Sequence, residues 1–412
     1  MPLTRADLEA LDRNDPLAHF RARFALPEGV IYLDGNSLGA LPKATPDRVA
    51  RVLREEWGGD LITSWNKHGW FDMAARIGAK IGRLIGAGDG ETIVADSTSI
   101  NLFKALSAAL QINGGRKVIL SERGNFPTDL YMAQGLIARL GQGHRLRLAE
   151  PKDFPGCITE DVAVVMLTHA SYRTGFLYDM EAVTRAAHAK GALVVWDLCH
   201  SAGAVPVDLA RADYDFAVGC GYKFLNGGPG APGFISIAHK HQDKFAPVLS
   251  GWFGHAAPFA FDESYAPSPG IARAAVGTPP ILSLAALEVG VDLAREAPVA
   301  LLHAKALRQF DVFAALMEQE LAGHGFALAS QDGPGGRGSQ ITYAHDHGSP
   351  IMQALIGRGV IGDFRAPDIV RFGFTPLYLG FAELWDAVAV LRDIMQTRSW
   401  DAPQFHARAR VT

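Results

Sequence analysis

Six short runs rich in apolar and β-branched residues, at 92–95, 117–120, 162–168, 192–196, 216–220 and 234–238, alternate through the middle of the chain with longer stretches of helical periodicity. This spacing predicts βαβ units, because two parallel strands must be joined by a crossover of helix length. Residues 179–190 have the pattern of such a crossover: a charged first turn, an apolar face of Met180, Val183 and Ala187, and Gly191 at the stop. The expected core is therefore α/β, a mostly parallel central sheet sandwiched by helices. A second helical pattern, 282–297, ends at Pro298, and beyond it helices interleave with a few strands such as 340–343 and 369–372. The expected division is an N-terminal segment, 1–45, packing on the small domain, then a large α/β domain, 46–280, and a smaller α+β C-terminal domain, 281–412. The Gly-rich run 333–338 reads as a flexible surface loop.

Composition narrows the function. The 412 residues are 48% hydrophobic and 20% charged, as in globular proteins. Lys and Arg number 39 against 43 Asp and Glu, a net charge of −4, which implies neither a nucleic-acid groove nor a polybasic membrane patch. The expected partner is a small molecule. Cys157, Cys199 and Cys220 are too few for a disulfide framework, and no CxxC or HExxH spacing suggests a metal. A charged N-terminus and the lack of any long uncharged apolar run lead to the expectation of a cytoplasmic protein that neither leaves the cell nor spans a membrane.

The chemistry centres on Asp197, directly after the apolar run ALVVW, and Lys223, just after YDFAVGCGY. Both are expected at the carboxyl ends of neighbouring parallel strands, where open α/β sheets hold ligands. Such strands lie ~4.8 Å apart, so the two side chains can reach opposite ends of one flat cofactor. Pyridoxal phosphate needs this pair: an amine to condense with its aldehyde and a carboxylate to keep its ring nitrogen protonated. Taken singly, Asp197 also reads as a turn cap and Lys223 as a surface lysine.

Ser97, Thr98 and Ser99 end a strand and open an amphipathic helix, whose free N–H groups and dipole suit a phosphate, or plain N-capping. Phe126, in the loop after KVILS, either stacks on a pyridine ring or tucks into the core. Tyr222 can reach phosphate or substrate, and His200 is a pocket partner or a helix-start histidine. Arg371 lies in the strand-like DIVRFGF, where a buried guanidinium needs an anion, either a substrate carboxylate or a structural salt bridge. Gly228, Gly230 and Gly233 spell GxGxxG, but Pro229 and Pro232 interrupt it and a strand pattern follows, which argues against dinucleotide binding.

Seven motifs together resemble the kynureninase family: YLDGNSLG (32–39), STS (97–99), NFPTD (125–129), WDLCHSAGAVPVDL (196–209), GCGYKFLNGGPGAPGF (219–234), GWFGH (251–255) and VRFGFTPLY (370–378). The resemblance spans nearly the whole chain. It implies a fold-type I pyridoxal-phosphate enzyme, homodimeric with active sites at the subunit interface, that hydrolyses L-kynurenine to anthranilate and L-alanine in tryptophan catabolism. By this likeness Lys223 bonds the cofactor, Asp197 pairs with its ring nitrogen and Phe126 stacks on the ring. Thr98, Ser99, Tyr222, Trp252 and Thr278 hold the phosphate, the last two from the partner copy. Asp129, Thr168 and His200 complete the pocket, and Arg371 clamps the substrate carboxylate.

Within that likeness, Tyr222 is the expected acid for the β-carbon. Trp65, His68, Trp70, Trp252 and Phe253 are candidates for the substrate ring pocket, with Asn36 and Ser37 as polar contacts. A cysteine desulfurase is disfavoured because all three cysteines precede Lys223. A class V aminotransferase uses the same Lys and Asp and stays open. A catalytically silent binding protein of the same fold is disfavoured by the intact Lys223, Asp197 and Arg371.

Overall fold

A computed structural model describes residues 2–333 and 335–407. Seven strands form the main sheet: β1 Thr92–Val94, β2 Val118–Glu122, β3 Arg145–Ala149, β4 Val162–Thr168, β5 Leu193–Asp197, β6 Phe216–Cys220 and β7 Gly233–Ile237. Their spatial order is β1-β7-β6-β5-β4-β2-β3. All neighbouring pairs from β6 to β3 are parallel, and β7 runs antiparallel to both β6 and β1. Central β4 is buried at every position, as a parallel strand covered by helices on both faces must be. The strand β7 follows the GxGxxG run where a dinucleotide motif would need a helix.

The expected strands of this sheet are present, and one more of its strands was not foreseen. Edge strand β3, RLRLA, alternates arginine and leucine, and Arg145 and Arg147 pair with Asp161. Charged residues blunt an exposed sheet edge, and that mixture hides the strand from a search for apolar runs.

A second apolar cluster lies beyond the sheet, around a four-stranded antiparallel sheet of Ala327–Leu328, Gln340–Ala344, Ile369–Gly373 and Asp363–Arg365. The helices Val299–Leu321 and Phe381–Thr397 pack with it. Leu8, Leu17, Phe20 and Phe24 near the N-terminus join this cluster with Phe313 and Phe372. Ile31–Tyr32 also pairs in parallel with Val360–Ile361.

The Gly-rich run differs from the expected loop. Gly336–Arg337 pairs antiparallel with Phe176–Leu177, and Gly335 N donates to Leu177 O at 2.9 Å. The glycines let two backbones meet where side chains would intervene. Pro334 of that run lies outside the described residues.

Candidate active site

Register brings the carboxyl ends of three strands together: Thr168 of β4 pairs with Asp197 of β5, and Asp197 with Val218 of β6. The chain leaves β6 in a turn that carries Tyr222 and Lys223. Lys223 Nζ sits 5.9 Å from the Phe126 ring centroid and 5.7 Å from that of Tyr222. Phe126 is 40% exposed, so it is not a core residue. Its loop is fixed from beneath by Asn125, whose Oδ1 accepts from Phe126 N (2.7 Å) and from Thr168 Oγ1 (2.6 Å). The turn itself is braced by the 32–39 motif, because Gly39 N donates to Tyr222 O at 2.8 Å. A Cβ on Gly39 would stand 2.3 Å from Lys223 O, so only glycine allows this approach.

Asp197 is buried, and its Oδ1 accepts from Cys199 N at 2.8 Å. Beside it lies Asp129, on the first turn of the helix Pro127–Leu140. Burial holds the Asp129 carboxyl well above the usual carboxylate range, the nearby charge of Asp197 pushes the same way, and Lys223 opposes them. Asp129 Oδ2 is buried without a hydrogen-bond partner. A buried, unpaired carboxyl oxygen next to a second carboxylate and a lysine suits the protonated nitrogen of a flat heterocycle. Burial also pushes His200 well below the usual imidazole value, and the cations Lys223, Arg371 and Arg365 add to the effect.

At the other end, Ser97 caps the helix Thr98–Ile112, its side chain accepting from Ile100 N. Thr98 Oγ1 lies 3.4 Å from Cys199 Sγ, which ties this helix start to the segment after Asp197. Strand β7 starts against the same turn: a Cβ on Gly233 would meet Thr98 N at 2.9 Å. Ser97, Tyr222, Phe253 and Thr278 all line one cavity of about 610 Å³. Thr98 and Ser99 are half-buried beside it, and Trp252 and Thr278 are exposed. Free N–H groups at a helix start, hydroxyls, a lysine, a carboxyl pair and an exposed aromatic side chain are together the donor set pyridoxal phosphate requires.

Arg371 pairs across the small sheet with Asp363, residue against residue. Its Nε donates to Asp363 Oδ1 (2.8 Å) and its Nη2 to Asp363 Oδ2. Its Nη1 reaches Tyr172 O (2.7 Å), and its Nη2 also reaches Ser37 Oγ (2.8 Å). The anion that burial demands is thus supplied by the protein itself, the salt-bridge alternative of the sequence reading. One Nη1 hydrogen is left for a further acceptor. Ser37 also takes a hydrogen bond from Arg365 (3.2 Å), and the buried Asn36 amide lies 3.2 Å from Gln340 Oε1. Tyr172 links this end to the ring site, its own ring edge-on to Phe126 at 5.2 Å.

The aromatic candidates divide. Trp65 packs on Phe253 (6.1 Å) and Phe253 on Trp252 (5.0 Å), a cluster that reaches the cavity through Phe253. Trp70 is core instead, 8% exposed with its Nε1 donating to Glu56. His68 is engaged by Asp60 at 2.7 Å. Sequence reasoning did not single out Asn125, Tyr172, Asp363 or Arg365. Asn125 lay inside a quoted motif, and Asp363 begins the hairpin that ends at Arg371, so pairing the two strands would have found it. Among the described residues no cluster of His, Cys, Asp or Glu could hold a metal, and no helix is long and apolar enough to cross a membrane.

Residues 31–324 match the aminotransferase class-V family and residues 302–391 the kynureninase C-terminal domain. The fold is similar to an apo cysteine desulfurase from Thermococcus onnurineus NA1, with 18% identity, a TM-score of 0.74, and coverage of 96% of this chain and 100% of that one. It is also similar to the cysteine desulfurase CsdA from Escherichia coli (17% identity, TM-score 0.76, 93% and 98% covered). Sheet order, lysine turn and family match define a pyridoxal-phosphate enzyme of the class-V aminotransferase type. Kynureninases from Burkholderia pseudomallei (strain K96243) and Pseudomonas fluorescens are each 52% identical over 414 residues, covering 99% of this chain and 100% of theirs. The chain belongs to the kynureninase family.

Proposed function

We propose that this chain hydrolyses L-kynurenine to anthranilate and L-alanine. The observation that carries the reading is 52% identity with kynureninases along the whole chain, and the geometry around Lys223 supports it. Bound pyridoxal phosphate supplies an electron sink for negative charge at the substrate α-carbon. We assign Asp197, with Asp129 beside it, to the ring nitrogen and Phe126 to the ring face. Thr98, Ser99 and Tyr222 hold the phosphate, joined in a homodimer by Trp252 and Thr278 of the second copy, and Thr168 and His200 complete the pocket. The remaining Nη1 hydrogen of Arg371, with Asn36 and Ser37, receives the substrate carboxylate, and Trp65 and His68 meet the aryl ring.

Lys223 Nζ removes the proton from the α-carbon. Water adds to the γ-carbonyl carbon, and its oxygen stays in the carboxylate of anthranilate. The Cβ–Cγ bond then breaks with its electron pair on the β-carbon, the Tyr222 hydroxyl supplies the proton there, and Lys223 returns its proton to the α-carbon to complete alanine. Burial raises the Tyr222 phenol above its usual pKa, so it holds that proton at neutral pH.

Three free cysteines suit the reducing cytoplasm, where we place the enzyme, in tryptophan catabolism and upstream of NAD biosynthesis. We also propose the division at residues 45 and 280; the packing of Leu8 to Ala40 in the smaller cluster supports the first boundary, whereas Leu284, Ala285, Leu287, Val291 and Ala294 still pack in the larger one. The test is incubation of purified enzyme with L-kynurenine. Fluorescent anthranilate and alanine are expected in equal amounts, and formation of a 2-oxo acid without anthranilate would mean transamination and overturn the reading.

A further inference from the structure

Lys104 lies in the second turn of the helix Thr98–Ile112 and is 1% exposed. Burying an ammonium is costly unless its hydrogens are taken. Here Nζ donates to Asp96 Oδ2 at 2.7 Å and to Ala274 O at 2.7 Å. The two acceptors lie on separate segments of the chain that both reach the 610 Å³ cavity. Asp96 stands just before Ser97 and lines it directly, while Ala274 ends the turn Gly270–Ala274 and immediately precedes Ala275, which also lines it. Asp96 has a φ of 45°, a left-handed conformation that Asp and Asn tolerate better than other side chains. Its backbone is held as well, by Gly233 N to Asp96 O at 2.7 Å.

We infer that Lys104 is a positioning residue for the phosphate end of the cofactor site, one buried amine that ties the residue before the helix start to the Gly270–Ala274 turn and cancels the charge of Asp96. The inference rests on the reading of the helix start at Thr98 and Ser99 as the phosphate end of the pyridoxal-phosphate site. The electrostatic half follows from exposure: the Asp96 side chain is 29% exposed at the cavity, and an unpaired carboxylate there would repel a phosphate dianion. The geometric half follows from the tether, since releasing Asp96 frees the turn that aims the helix N–H groups.

The test compares two ligands on apoenzyme, pyridoxal phosphate and pyridoxal, each titrated by absorbance. A merely structural lysine would weaken both alike, whereas a lysine acting on the phosphate end changes their ratio. Lys104→Met is expected to lower the preference for the phosphorylated ligand by about tenfold or more, the scale of one lost charge-assisted hydrogen bond. Asp96→Ala breaks the same tether but also removes the carboxylate that would repel the phosphate, so it is expected to lower the preference by less than Lys104→Met, about threefold or more, while Asp96→Asn, whose amide oxygen still accepts from Lys104 without adding negative charge, does not fall below wild type. The double variant Lys104→Met with Asp96→Ala is expected to be no worse than Lys104→Met alone. An unchanged ratio in the single variants, or losses that add in the double one, overturns the inference. If Lys104→Met fails to fold, Asp96→Ala decides. Wild-type protein that binds neither ligand would overturn the cofactor reading instead, so the two failures are distinguishable.

Discussion

Lys223 Nζ lies 5.9 Å from the ring centroid of Phe126, a residue that is 40% exposed. An aromatic residue held by Asn125 at its backbone but exposed in this way is arranged for stacking and does not serve as core. Phe126→Ala therefore removes little native packing. It is expected to weaken pyridoxal-phosphate binding by about 1 kcal/mol, roughly fivefold to tenfold, with the melting temperature of the apoenzyme nearly unchanged. Titration of apoenzyme and a thermal melt check both halves, and equal affinity in the variant would remove the stacking role.

The lysine neighbour makes a sharper prediction. Tyr222→Phe keeps the ring but removes the hydroxyl assigned to the β-carbon. The bound cofactor should keep its visible absorbance while kcat falls by about 10² or more, the usual scale for a lost general acid. Unchanged turnover would pass the proton to another donor.

Lys223 and Asp197 were legible because each follows an apolar run that has to be a buried strand, and a polar residue at such an end needs a reason. The two glycine-bearing motifs at 32–39 and 219–234 were visible as motifs, yet their mutual packing through Gly39 depends on contact between segments far apart in the chain. The same limit hid Lys104, an ordinary helical lysine until Asp96 and Ala274 close around it. Arg371 was read as a buried cation correctly, but its anion came from a hairpin partner eight residues earlier. Local pattern reports burial, whereas partnership across strands is set by register.

That pairing sets up a test of what Arg371 does. Its guanidinium is bound by Asp363, so any substitution destabilises the small sheet, and stability alone is uninformative. Substrate preference separates the roles: Arg371→Lys keeps the charge but loses the planar fork. Wild type is expected to favour L-kynurenine over its α-carboxamide, and Arg371→Lys to lose about tenfold or more of that preference in kcat/KM. Equal preference in both proteins would leave Arg371 a purely structural partner of Asp363.

Glu122 predicts a pH dependence of stability. It ends β2, is 3% exposed, and accepts a hydrogen bond from the Tyr178 hydroxyl. Burial pushes its carboxyl from the ordinary value of 4.5 up to about 7, and the Tyr178 hydrogen bond only partly offsets this. The folded protein therefore binds a proton that the unfolded chain has released, so the contribution is fully present below about pH 4.5 and is lost as pH rises through about 7. A shift of this size corresponds to about 3 kcal/mol across that window. Glu122→Gln has no proton to lose and can still accept from Tyr178. Between pH 5 and pH 8 the wild-type melting temperature is expected to fall more than that of Glu122→Gln, and parallel curves would show that Glu122 stays ionised in the folded protein.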